Sequence, residues 1–352
     1  MQAANIRQRV LVTGHHGYVG SVVARILAEQ GFDVVGLDTF LYRGCDLYTQ
    51  PGPSTEIAAD VRDLTQDDLR GYDAVVHLAA LSNDPLGELD PAVTYAINRD
   101  ASIRLAEGAR TVGVRRFVFA ASCSMYGAAD SALELDESAP FAPLTAYAVS
   151  KVEAEEAILR LATPSFVPVS LRYATVYGPS PRLRLDVVVN NLVGWATTTG
   201  KVRLLSDGSS WRPLIHVEDV ARAVAGSLLV SEDLVRGVPL NVGSSRGNYR
   251  IREVAETVAT VVGGTSVDFA EGAGTDPRSY RVDFSRFASV MPDHQPIHDV
   301  ADGVRQLVEA YRDADLTIEG FESDRFTRLR RLEHLVHEGR IGEDLRWVEG
   351  GN

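Results

Sequence analysis

Tyr147 and Lys151 stand four residues apart in the run Tyr147-Ala148-Val149-Ser150-Lys151. On a helix that spacing puts a phenol and an ammonium on one face, a turn apart. An isolated tyrosine gives up its proton only near pH ~10, too high for a useful base at neutral pH. A neighbouring cation favours the phenolate and lowers that value, so the two together form a proton-transfer pair. Far upstream, Gly14, Gly17 and Gly20 follow the apolar run Val10-Leu11-Val12 with the spacing G-x-x-G-x-x-G. The first glycine permits a tight turn, the second lets the backbone approach a pyrophosphate, and the third lets a helix pack closely on a strand. A helix starting at Tyr18 and Val19 offers free N–H groups and the positive end of its dipole to that pyrophosphate. The two stretches therefore point to a nicotinamide dinucleotide held beside a base.

Other residues fit around that dinucleotide. Asp38 closes the next apolar run, 18 residues beyond Gly20. A carboxylate there accepts hydrogen bonds from ribose hydroxyls and repels a 2′-phosphate, which favours NAD over NADP. Arg43 lies close enough in sequence to soften that discrimination. Asp60 and Val61 follow the third run and are expected at the adenine edge. Leu78, Ala79 and Ala80 suit close approach of backbone to cofactor. Asn98 is also placed in the cofactor set; it braces the crevice, or else it is a core amide that needs its own partners. Ser122 ends another apolar run, where its hydroxyl faces the ligand crevice of a doubly wound fold.

The elements that would carry these residues alternate. Strands are expected at Arg9–Thr13, Asp33–Leu37, Glu56–Ala59, Ala74–Leu78, Phe117–Ala120 and Val167–Leu171. Helices are expected at Tyr18–Gln30, Pro91–Val112 and Ala146–Leu161. Such alternation predicts an α/β chain with a doubly wound parallel sheet (Rossmann) and a smaller C-terminal substrate-binding lobe. Residues 1–178 are read as the NAD-binding domain and 179–352 mainly as the second lobe, with segments near 211–245 returning to the first. Residues 321–340 read as a terminal helix, followed by Asp344-Leu345-Arg346-Trp347 as a docking strand.

Composition sets outer limits. The chain has 352 residues and a net charge of −13, from 35 basic and 48 acidic side chains. That balance disfavours nucleic acid and anionic membranes as partners across a broad surface. Two cysteines, Cys45 and Cys123, build neither a disulfide framework nor a metal site, so no metal is expected. No apolar run reaches the ~20 residues of a membrane span. Residues 1–8 lack the apolar stretch of a signal peptide, and a cytoplasmic location is expected.

Taken together, these residues resemble the extended short-chain dehydrogenase/reductase family, in its nucleotide-sugar epimerase and dehydratase branch. The resemblance rests on Thr13-Gly14-x-x-Gly17-x-x-Gly20, Asp38, Asp60-Val61, His77-Leu78-Ala79-Ala80, Asn98, Ser122 with Tyr126-Gly127, and Tyr147-x-x-x-Lys151. It continues through Leu171-Arg172-Tyr173-Ala174-Thr175-Val176-Tyr177-Gly178-Pro179 and Arg212-Pro213-Leu214-Ile215-His216-Val217-Glu218-Asp219-Val220. It implies a tightly held NAD and a nucleoside-diphosphate sugar between the lobes. Tyr147 would be the base, Lys151 its electrostatic partner and Ser122 the sugar-hydroxyl contact, with Ser124 and Thr175 nearby. Arg212 matches a diphosphate grip, a natural task for a guanidinium fork, and Arg278 resembles a second one. A homodimer through the helices near 91–112 and 146–161 is implied as well.

Two departures matter. The family's 4,6-dehydratases carry an Asp-Glu pair after the serine that matches Ser122; here the pair is Cys123-Ser124, which argues against dehydration. Thr175 stands where many relatives have an asparagine. The reading is then an NAD-dependent nucleotide-sugar 4-epimerase acting through a transient 4-keto sugar. A 4-reductase or dehydrogenase with net redox change is the alternative enzyme, and a non-catalytic NAD-binding scaffold is the alternative of another class.

Overall fold

In a computed structural model, residues 7–82, 89–127, 133–269, 274 and 278–348 are described. Seven strands form one parallel sheet: β1 (Arg9–Thr13), β2 (Asp33–Asp38), β3 (Thr55–Ala58), β4 (Ala74–His77), β5 (Arg116–Ser122), β6 (Val167–Tyr173) and β7 (Val238–Val242). Their spatial order is β7-β6-β5-β4-β1-β2-β3. The order reverses between β1 and β4, the switch point at which doubly wound sheets open a ligand crevice. The central strands β1, β4, β5 and β6 are almost entirely buried, which is why they read as unbroken apolar runs rather than alternating ones. The expected α/β class is therefore the observed one.

Two apolar layers flank the sheet. On one face α1 (Tyr18–Glu29) packs through Val22, Val23 and Leu27 with the strongly apolar helix Val217–Leu229. On the other face Leu105, Ala106 and Ala109 meet Phe117, Phe119, Ala154 and Ile158. The expected helix over Pro91–Val112 is present but not uniform. Pro91–Tyr95 and Ser102–Val112 are α-helical, and Ala96–Ala101 between them is a π-helical turn. Such turns cluster at functional sites because they re-aim one or two side chains.

A second core gathers Val189, Leu192, Val254, Val304 and Leu307 from the helices Val188–Thr199, Ile251–Val262 and Val300–Asp313, with Leu185 from the preceding loop. Trp211–His216 pairs with Thr175–Tyr177 and Asn248–Arg250 in a separate three-stranded sheet, whereas β7 joins the main sheet beside β6. The terminal helix expected over 321–340 is two helices, Ile318–Glu322 and Arg328–His337. Ser323 is extended between them. Instead of entering a sheet, Ile341 and Trp347 close a small antiparallel bridge. Leu332, Leu335, Ile341 and Leu345 then form an apolar cluster with Leu41 and Leu81 from the loops after β2 and β4.

Candidate active site

A cavity of about 1040 Å³ runs across the C-terminal ends of β1, β2, β4, β5 and β6 into the second core. Every residue expected at the site lines it except Asn98. The glycine turn is built as the spacing requires. Gly14 has φ +75, and a Cβ there would lie 2.7 Å from the Ala79 backbone nitrogen. A Cβ on Gly20 would lie 2.0 Å from the Gly14 carbonyl oxygen, so only glycine lets α1 start this close to β1. Gly17 is the N-cap of α1 and supplies no side-chain cap. The first-turn N–H groups are thus left for an anion.

Asp38 accepts hydrogen bonds from the backbone N–H of His16 at 3.0 Å and of Phe40 at 2.8 Å. Burial raises its pKa above the usual carboxylate value. A carboxylate has about four acceptor positions, so lone pairs remain for ribose hydroxyls. Asp60 pairs with Arg62 at 2.6 Å, and Arg62 in turn donates to the Asp344 carbonyl at 2.8 Å.

Asn98 sits in the π-helical turn and is fully buried. Its amide accepts from Leu81 N–H at 2.9 Å and donates to Leu81 C=O at 3.0 Å. Asn98 therefore braces the loop after β4, one of the roles expected of it, and does not itself line the cavity. His77 continues the same brace, bonded to Thr13 Oγ1 at 2.7 Å and Ser102 Oγ at 2.8 Å. Ser102 donates to the Asn98 carbonyl, so Nε2 of His77 carries its proton. Burial first, then the charge of Lys151, holds its pKa down near about 3, and the ring stays neutral.

Tyr147 and Lys151 lie in the first turns of the helix Ala146–Leu159, whose N-cap Thr145 accepts from Ala148 N–H at 3.2 Å. Both line the cavity. Lys151 is buried, donates to the Ala120 carbonyl at 2.8 Å and stands 4.8 Å over the Phe119 ring. Burial lowers its pKa from 10.5 to about 7. Ser122 Oγ, at the end of β5, accepts from Ser124 N–H at 3.1 Å and keeps its own proton to donate. The Ser124 hydroxyl and the Tyr173 hydroxyl are buried, line the cavity and have no partner among the described residues.

Cys123 turns the other way. Its thiol donates to the Arg172 carbonyl at 3.2 Å, and burial pushes its pKa up. It does not line the cavity, so Ser124 alone of the Cys123-Ser124 pair reaches a ligand.

At the far end of the cavity stand Thr175, Arg212 and the exposed Arg278. Arg212 donates to the Trp211 carbonyl at 2.8 Å and lies 5.8 Å from the Tyr280 ring centroid. Thr275, Asp276 and Pro277, read with Arg278 as one motif, lie outside the described residues. Tyr173, Arg184 and Arg328 also line the cavity, and of these sequence reasoning did not single out Arg328. Arg184 donates to Ser82 at 3.0 Å and pairs with Asp186 at 2.9 Å. A buried arginine signals itself only once its neighbours are known.

Among the described residues, one cluster has metal-ligand types: His216, Asp219 and His298. His216 Nδ1 accepts from Glu218 N–H, and Asp219 accepts from the N–H groups of Ile297 and His298. It ties the start of the helix Val217–Leu229 to the loop before Val300.

Residues 10–243 match the NAD-dependent epimerase/dehydratase family. A UDP-glucose 4-epimerase of Streptomyces lividans is 31% identical over 283 residues, covering 72% of this chain and 81% of that protein. One of Mycolicibacterium smegmatis is 29% identical over 314 residues, covering 86% of this chain and 98% of the relative. Among solved structures, MoeE5 in complex with UDP-glucose and NAD is 30% identical with a TM-score of 0.73, over 87% of this chain and 99% of that one. A glycine turn that only glycine can make, a buried lysine behind a cavity-lining tyrosine and these likenesses agree: the chain belongs to the NAD-dependent epimerase/dehydratase family.

Proposed function

We propose that the protein is an NAD-dependent epimerase that inverts C4 of a nucleoside-diphosphate sugar. One observation carries the reading: Ser122, Tyr147 and Lys151 line the same cavity as the glycine turn, whose close backbone packing only glycine allows at positions 14 and 20. The cradle fits NAD. Gly14, Gly17, Tyr18, Val19 and Gly20 would hold its phosphates, Asp38 its adenosine ribose, and Asp60 and Val61 its adenine edge. Leu78, Ala79 and Ala80 would back it. When bound, NAD supplies a reversible hydride acceptor beside C4.

The side chains then do the following. Tyr147 as phenolate takes the proton of the C4 hydroxyl, and Ser122 donates to the same oxygen to orient it. Lys151 stabilises the phenolate. Burial lowers its pKa, and a phenolate beside it draws the proton back, so the pair titrates together. Arg212, Arg278 and Thr175 take the diphosphate end, and the orphan hydroxyls of Ser124 and Tyr173 face the sugar. The 4-keto sugar turns about its diphosphate link, and Tyr147 returns the proton on the other face. Such acid–base help is typically worth ~10²–10⁴-fold. The cavity's volume of about 1040 Å³ stands at the top of the roughly 300–1,000 Å³ range of ligand pockets. Elimination chemistry is disfavoured because Cys123 is turned out of the site.

The reading includes a homodimer through the helices near 91–112 and 146–161, checked by light scattering, and a cytoplasmic location, checked by fractionation. The decisive experiment is an NMR assay of UDP-, GDP-, dTDP- and CDP-sugars with no added cofactor. Interconversion of one C4 pair supports the proposal. Stoichiometric consumption of added NADH would replace it with a reductase.

A further inference from the structure

Arg328 breaks three local rules at once. It is 2% exposed yet charged. It opens the helix Arg328–His337, so a cation sits at the positive end of a dipole. Two more guanidinium groups, those of Arg182 and Arg184, stand near it and disfavour its charge or are disfavoured by it. Each of those two has a carboxylate, Asp46 for Arg182 and Asp186 for Arg184. Arg328 forms no ion pair among the described residues. Its Nη2 donates to the Arg182 carbonyl at 2.7 Å, its plane lies 4.1 Å over the Tyr42 ring, and its Nη1 is buried without a partner. The Asp186 carboxylate attracts its charge from beyond ion-pair distance, but a buried cation with an unsatisfied donor is costly, and an arriving anion would offset that cost.

The place of Arg328 says which anion. Its side chain lines the cavity with Tyr42, close after Asp38, and its charge reaches His16 in the glycine turn. The same C-terminal segment walls this end of the cavity. Leu345 lines it with a left-handed φ of +60, Trp347 donates to the Thr39 carbonyl at 2.6 Å, and Arg346 pairs with Asp63. These residues lie beyond the family match, which ends at 243.

We propose that Arg328 is a cofactor-binding residue: its guanidinium holds the dinucleotide's pyrophosphate across the cavity from the glycine turn, and residues 328–347 clasp the adenosine half of the site. The proposal rests on the NAD reading above. The full chain, freed of nucleotide, is titrated calorimetrically with NAD and with adenosine, which carries no phosphate. Arg328→Gln raises the Kd for NAD by about 10–100-fold, the range of a lost charge-assisted bond, and leaves that for adenosine within about twofold. Arg328→Lys, which keeps the charge and the stem over Tyr42, loses less. Unchanged NAD affinity in both variants overturns the assignment. So does an equal loss for NAD and adenosine, which would mark a purely structural residue. A wild-type chain that binds no NAD would sink the proposed function itself, a separate and recognisable result.

Discussion

Replacing Lys151 with methionine should stabilise the nucleotide-free protein while abolishing its chemistry. Burial lowers the Lys151 pKa from 10.5 to about 7. At about 1.4 kcal/mol per tenfold, that fall corresponds to about 5 kcal/mol against folding whenever the group is charged in both states. Methionine fills a similar volume without charge. It forfeits the hydrogen bond to the Ala120 carbonyl and the contact over Phe119, worth together about 1–2 kcal/mol. The net gain below pH 7 is therefore about 3 kcal/mol. The sign with pH follows from linkage. Between the folded value near 7 and the unfolded 10.5, the unfolded chain binds the proton and the folded one does not, so wild type gains stability as pH rises. The advantage of Lys151→Met should then shrink towards zero by pH ~9.5. Thermal melting of nucleotide-free wild type and variant at pH ~6 and ~9.5 reads this, with a gap of about 5 °C at the lower pH. A variant that melts at or below wild type at pH ~6, or a gap that does not change with pH, would refute the desolvation argument.

Three more outcomes follow from the site. Tyr147→Phe should lower turnover by at least ~10²-fold while NAD stays with the purified protein, read by NMR and by nucleotide released on denaturation. Gly20→Ala drives a Cβ to 2.0 Å from the Gly14 carbonyl, so the purified protein should carry little or no NAD, and full occupancy would contradict the cradle. Asn98→Leu strands both backbone groups of Leu81 and should cost about 2–4 kcal/mol in denaturant unfolding. If Asn98 instead touched cofactor alone, NAD affinity would fall with stability unchanged.

What could be read from the chain divides by range. The glycine turn, Asp38 and the Tyr147–Lys151 pair were legible because their chemistry depends on spacing within one turn or one strand–turn–helix unit. So was the parallel sheet, since β1, β4, β5 and β6 are apolar runs buried on both faces. The partner of Asn98 was not legible, because nothing local says that a helix loosens into a π turn and aims an amide at Leu81. Arg328 was invisible inside Arg328-Leu329-Arg330-Arg331, where every arginine looks like part of a solvated helix face. Only its docking against Tyr42 separates it from Arg330, and that contact spans 286 positions of sequence. The break between Ile318–Glu322 and Arg328–His337 went unread for the same reason: apolar spacing runs straight through it, and tertiary packing ends the first helix.

Asp38 carries one more consequence. Its carboxylate is at once the proposed ribose acceptor and the tie between β2 and the glycine turn, through the N–H groups of His16 and Phe40. Reprogramming the enzyme toward phosphorylated dinucleotides by exchanging this one side chain would therefore unfasten the cradle it sits in. A redesign of coenzyme choice in this scaffold must replace the fastener and the selector together, since here a single functional group serves as both.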